Sequence, residues 1–232
     1  MLGTLVNMGA ILLGGAIGLL LKGRLSRTIA DSVMNGLALC TLFIGISGAL
    51  KGDNVLLAVI SIALGTLVGE GLRIEDRLNS LGALLERRIQ PNGGEQGGIA
   101  RGFVAASLLF CVGAMAILGS LESGLRGDHS ILFTKSLLDG VAAIIFASAM
   151  GTGVLLSALA VLAYQGTITL ISSVVAPLLN DAVINNMSMV GSLIIVGLGF
   201  NMLGMTKIRV SNMLPAILVP LLYSLLQGFL PL

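Results

Sequence analysis

Charge is almost absent from long stretches of this chain, and those gaps limit its fold more tightly than any motif. Residues Leu2–Leu21, Val33–Leu50, Val55–Gly69, Gly102–Leu121, Gly140–Tyr164, Met187–Met205 and Met213–Leu232 are apolar runs bounded by short charged clusters. A bilayer-crossing helix needs about 20 mainly apolar residues, and most of these runs reach or approach that length. Lipid offers the backbone no hydrogen-bond partner, so the segments must be helical. The expected fold is all-α: a polytopic transmembrane bundle of seven or eight inserted helices with amphipathic interfacial helices beside them.

Hydrocarbon does not drive apolar helices together, so their association depends on close backbone approach. Ala10, Gly14 and Gly18, then Gly65 and Gly69, then Ala143, Ala147 and Gly151 place small residues one turn apart on single faces. Such stripes predict tight pairing and are compatible with a homo-oligomer. Cys40 and Cys111 fall within runs and read as small packing residues. Leu2–Leu21 has no basic leader and reads as a retained span rather than a signal peptide.

Basic residues stay on the cytoplasmic side. Lys22, Arg24 and Arg27 follow the first run, and Arg73, Arg77, Arg87, Arg88 and Arg101 populate the longest polar stretch. Both loops are therefore expected inside and the N-terminus outside. Arg24–Met34 and Arg73–Ile89 are amphipathic; each lies either in the headgroup plane or against the bundle. Gln90–Gly98 is turn-rich, so the chain divides into an N-terminal half (1–90), a linker (91–101) and a C-terminal half (102–232). Gly36–Gly45 leading through Lys51–Asn54, and Gly191–Gly199 leading through Thr206–Arg209, resemble each other as helix–turn–helix pairs, a pattern seen in transporter repeats.

Gly140–Leu179 has no charge over about twice the length one span requires. Crossing once, it would leave Lys207 and Arg209 outside. A second short crossing over 167–180, broken at Gly166 and Pro177, brings that turn inside and makes the two helix pairs an inverted repeat. The charge rule favours the eight-segment form.

Polar groups inside spans are expensive and default to functional readings. The candidate substrate or ion contacts are Asn7, Glu70, Asp139, Gln165, Asn180, Asp181 and Asn201. For Asn7 and Asn201 the competing reading is helix–helix adhesion. For Glu70 it is an ion pair with Arg73, and for Asp139 a favourable first-turn anion. Asn180 and Asp181 fit an ordinary loop almost as well. No nucleophile–base pair, zinc-binding helix or phosphate-cradling loop is present, so neither enzyme chemistry nor a metal, cofactor or nucleic-acid partner is expected.

Gly3-Thr-Leu-Val-Asn7, Gly69-Glu-Gly71 with Ile74-Glu75, Leu138-Asp-Gly140, Gly151-Thr-Gly-Val154, Tyr164-Gln-Gly166, Gly197-Leu-Gly-Phe-Asn201 and Asn212-Met-Leu-Pro215 together resemble the YdfK/YqgA-like family of bacterial multi-span membrane proteins. The resemblance spans essentially the whole chain. It implies an inner-membrane location and a transporter-type protein, and it carries no catalytic residue. The function expected from sequence is a small secondary transporter for an unidentified solute or ion. A passive channel, or a membrane protein that binds a partner without transport, stands as the alternative.

Overall fold

A computed structural model of the 232-residue chain describes residues 1–22, 27–80, 98–112 and 114–229. Among these no strand occurs. The helices are α1 (Leu2–Leu21), α2 (Arg27–Ala49), α3 (Val55–Leu72), α4 (Gly98–Cys111), α5 (Ala114–Leu125), α6 (Ser130–Met150), α7 (Gly153–Leu170), α8 (Ser172–Val175), α9 (Asp181–Met202) and α10 (Val219–Phe229). A 3-10 helix over Val210–Leu218 leads into α10, and residues 74–80 are also helical. By length and composition α1, α3, α6, α7 and α9 can each cross a membrane, and α4 with α5 forms a sixth candidate bent by 61°. Met34–Ala49 and Val210–Leu226 are shorter apolar helices.

The molecule exposes what a water-soluble protein would bury. Leu13, Leu20, Phe43, Leu67 and Leu137 are all at least 70% exposed, whereas Asn7 and Gln165 are wholly buried. A large continuous apolar exterior belongs against lipid, and a buried amide needs neighbouring helices to satisfy it.

Glycine sets the helix pairings. A methyl group on Gly14 would strike the Gly140 carbonyl, and one on Gly18 the Ile144 carbonyl. Gly3 faces Leu132 at one end of the same contact and Gly18 faces Ala147 at the other, so α1 and α6 run parallel. Three further pairs run antiparallel. Gly15 meets Leu155 while Gly166 lies by Met1 and Thr4, joining α1 to α7. Gly45 meets Val196 while Gly52 meets Met189, joining α2 to α9. Gly65 meets Ala216 while Gly69 meets the Asn212 carbonyl, joining α3 to the 3-10 helix. Ile11, Leu37, Phe110, Phe146, Val154 and Val161 fill one core between these layers.

These directions place the α1–α2, α6–α7 and α9–3-10 turns at one end, the Lys22 end, together with the 74–80 helix. The α2–α3, α5–α6 and α7–α9 connections lie at the Met1 end. Lys22, Arg73, Arg77, Arg101, Lys207 and Arg209 belong to the Lys22 end. The Met1 end holds Asp53, Glu122, Asp128 and Asp181 with Lys51 and Arg126.

Several boundaries differ from those read in the sequence. The long uncharged run breaks at Gly151, not at Gly166. Gly151 has φ +82°, a conformation glycine adopts without steric cost, and it ends α6 before Gly153 starts α7. Gly166 lies inside the continuous helix α7. The chain leaves α7 at Ile171 and passes through α8 into a 3-10 turn containing Pro177. The extra crossing is thus α6 itself, and 167–180 is the end of α7 plus a surface connection. The Arg24–Met34 segment joins α2 from Arg27 onward, and residues 81–89 of the second amphipathic segment lie outside the described residues, as does the linker from 91 to 97.

Candidate functional site

The second turn of α1, the middle of α6 and the last turns of α7 bring Asn7, Lys135, Asp139 and Gln165 together. Asp139 does not begin a span: α6 starts nine residues earlier, at Ser130, so the carboxylate sits in the helix middle. Lys135 is one turn before it on the same face, and its Nζ lies 2.9 Å from each carboxylate oxygen. Asn7 Nδ2 donates to Asp139 Oδ2 at 2.9 Å and to Gln165 Oε1 at 3.3 Å. The side chains of Lys135 and Asp139 are each 8% exposed. Desolvating two opposite charges is tolerable only when they meet with good geometry and extra hydrogen bonds, and this pair has both.

The cluster is not fully satisfied. Asn7 Oδ1, Gln165 Nε2, Thr4 Oγ1 and Thr169 Oγ1 are buried without a hydrogen-bond partner. Thr4 is one turn from Asn7 and Thr169 one turn from Gln165. The vacant donors and acceptors therefore lie along the α1–α7 contact, where Gly166 leaves room opposite Thr4. Each buried unpaired group costs roughly 1–3 kcal/mol, so an interface meant only for adhesion would be expected to pair them. Toward the other side, Cys111 of α4 is within electrostatic reach of both Lys135 and Asp139.

The remaining sequence candidates lie elsewhere. Glu70 pairs with Arg209, not Arg73: Arg209 Nη1 donates to Glu70 Oε2 at 2.9 Å and Nη2 to Asp76 Oδ1 at 2.6 Å, with Glu75 at 3.8 Å. Burial works to lower the Arg209 pKa, yet hydrogen bonding and the Asp76, Glu70 and Glu75 charges leave it raised. This exposed group ties α3 and the 74–80 helix to the 3-10 helix. Asn180 caps α9 by accepting from the Val183 amide, and Asp181 is an exposed acid in the first turn of that helix. Asn201 clasps the loop after α9: Nδ2 donates to the Ile208 carbonyl, while Oδ1 accepts from Thr206 Oγ1 and the Ile208 amide. Cys40 is exposed rather than buried.

Between α4, α7, α9 and the 3-10 helix lies a cavity of about 340 Å³. It runs from Ile74, Leu78 and Phe103 at the Lys22 end to Cys111, Tyr164 and Ser188. Neither Asp139 nor Pro177 lines it; Cys111 and Tyr164 do.

A lipid-facing apolar exterior, spanning helices and a desolvated polar cluster between them define an integral membrane protein of the polytopic helical class. Residues 2–225 match the family described as "Protein of unknown function (DUF554)", and the chain belongs to that family. It is 32% identical to the "Uncharacterized membrane protein YdfK" of Bacillus subtilis over 224 residues, covering 95% of this chain and 94% of that protein. It is also 32% identical to the "Uncharacterized protein YqgA" of Escherichia coli over 220 residues, covering 94% of each. No solved structure matches the chain.

Proposed function

We propose that the protein is a small secondary transporter of the bacterial inner membrane, with the Lys135–Asp139 pair and the Asn7 and Gln165 amides as its ion-coupling site. The observation that carries the reading is the ion pair held within the spans beside four unpartnered polar atoms. Intramembrane Asp, Lys and amide groups characteristically mark ion and substrate pathways. The basic Lys22 end is then cytoplasmic, and the start of α1 faces outward.

Chain architecture supports the same reading. Helices beginning at Leu2, Arg27 and Val55 pack antiparallel on elements beginning at Gly153, Asp181 and Val210, at a nearly constant sequence offset. Three consecutive elements meeting three later ones in opposite direction is the arrangement of an inverted repeat, which in transporters brackets the site. A second reading, a structural membrane protein without transport, draws on the close pairing of Lys135 with Asp139 and on the absence of Asp139 from the cavity wall.

The test is flux in proteoliposomes carrying an interior pH reporter, challenged with a panel of inorganic ions, amino acids and small neutral solutes. Transport predicts solute-dependent flux that Asp139→Asn and the double variant Lys135→Met/Asp139→Leu abolish while the protein stays folded. No flux with any member of the panel, or flux that both variants leave intact, overturns the assignment.

A further inference from the structure

We propose that the cavity between α4, α7, α9 and the 3-10 helix is a binding site for a small uncharged amphiphile, a mainly apolar molecule with one or two hydrogen-bonding atoms. This inference rests on the transporter reading only in calling that molecule the substrate class; occupancy of the site is a separate matter.

Three observations converge. The first is size: about 340 Å³ lies at the small end of the range for ligand pockets. The second is charge. Among the described residues no charged side chain lines the cavity, so a charged guest would give up its hydration to an almost wholly apolar wall, a cost of several kcal/mol. The third is a pair of unused hydroxyls. Among other buried serines Ser61 also lacks a partner, while Ser120, Ser136 and Ser157 turn back on their own backbone, at the Ala116, Leu132 and Val154 carbonyls. Ser107 Oγ and Ser188 Oγ do not; both line the cavity and both are buried without a partner, Ser188 being 6% exposed. Neighbouring Cys111 and Tyr164 add a thiol and a phenol to an otherwise aliphatic wall. A lipid tail would fill the volume but leave the two hydroxyls unanswered. A molecule with a carbonyl, amide or hydroxyl group at one end satisfies both requirements.

Helices α4 and α5 diverge by 61° beside Val112, which seats against Gly191 where a methyl group would collide. Leu78 of the 74–80 helix lines the cavity at its Lys22 end.

Cys111 supplies the readout. In full-length protein carrying Cys40→Ser, alkylation of the remaining thiol by N-ethylmaleimide is followed with 1-hexanol or hexanamide present, and with hexanoate or hexylammonium as charged counterparts. The expected result is saturable protection by the neutral pair, at least fivefold in rate, and none by the charged pair. Ser107→Ala and Ser188→Ala each raise the half-protecting concentration roughly tenfold, the loss expected for one buried hydrogen bond. Ala160→Phe, which fills the cavity, removes protection and serves if the serine variants fold poorly. Protection equally strong from the charged compounds, protection unaffected by these substitutions (the mark of partitioning into lipid), or no protection at saturation overturns the site. Flux without protection would remove the site and leave the transporter, whereas protection without flux would do the reverse.

Discussion

Removing either member of the Lys135–Asp139 pair should cost far more than removing both. Each charge is buried on one face of α6, with side chains 8% exposed and the ammonium 2.9 Å from both carboxylate oxygens. Lys135→Met strands a carboxylate whose other side-chain donor is Asn7 Nδ2; Asp139→Leu strands the ammonium and frees Asn7 of its better acceptor. Breaking a buried pair from one side typically costs about 3–5 kcal/mol, because an uncompensated charge remains, whereas replacing both partners by apolar groups is often near neutral. The double variant Lys135→Met/Asp139→Leu should therefore lie within about 2 kcal/mol of the natural protein, a coupling energy beyond the usual range for neighbours. Unfolding in mixed micelles, followed by helical ellipticity for all four proteins, measures the cycle. Additive costs would show that the two side chains do not depend on each other and would refute the reasoning. The same proteins separate the functional readings: a stable double variant without flux argues for coupling, and one with normal flux argues for adhesion.

Gly14→Ala drives a methyl group into the Gly140 carbonyl and should cost roughly 1–3 kcal/mol or more, while Gly9→Ala on the same helix meets open space and should be neutral to mildly stabilising; the two melting temperatures in detergent check this. Asn201→Ala removes all three hydrogen bonds that clasp the 203–209 turn, at about 1–3 kcal/mol, and should accelerate amide exchange at Ile208 without changing exchange in α6. Hydrogen bonds from the Ser130 hydroxyl and amide hold Asp128 below the ordinary carboxylate range. Because its folded value is depressed, the stabilisation is present above the unfolded value, about 3.9, and is lost as pH falls through the folded one. The protection factor of the Ser130 amide, its exchange corrected for the intrinsic pH dependence, should fall in that acidic window, and a protection factor that ignores pH there would contradict the assignment.

The all-α membrane bundle was legible because long charge gaps report apolar helices directly. The break in the uncharged run was not. Gly151, Gly166 and Pro177 all look like punctuation, and only the left-handed conformation at Gly151 shows which one turns the chain. Asn7, Asp139 and Gln165 stand out as polar residues in apolar runs, whereas Lys135 precedes the uncharged run from Gly140 and is not among the sequence candidates; the structure starts α6 five residues before it. The Glu70–Arg209 pair joins residues 139 apart in sequence, a separation no local spacing reveals, and the nearer Arg73 was the natural guess. Ser107 and Ser188 were invisible for another reason: a helical serine ordinarily satisfies itself on its own backbone, and only the fold shows that these two, like Ser61, do not.

The nine residues from Val210 to Leu218 are wound as a 3-10 helix, with Pro215 inside it and Asn212 pressed against Gly69. That winding advances about 2.0 Å per residue, against 1.5 Å for an α-helix. Rewinding the segment to α would shorten it by about 4–5 Å and reel α10 toward the end where Arg209 is tethered. Leu214 and Ile217, which wall the cavity, would rotate with it, so a change of pitch in one short stretch is enough to reshape the chamber while the glycine-locked α1–α6 pair stays still.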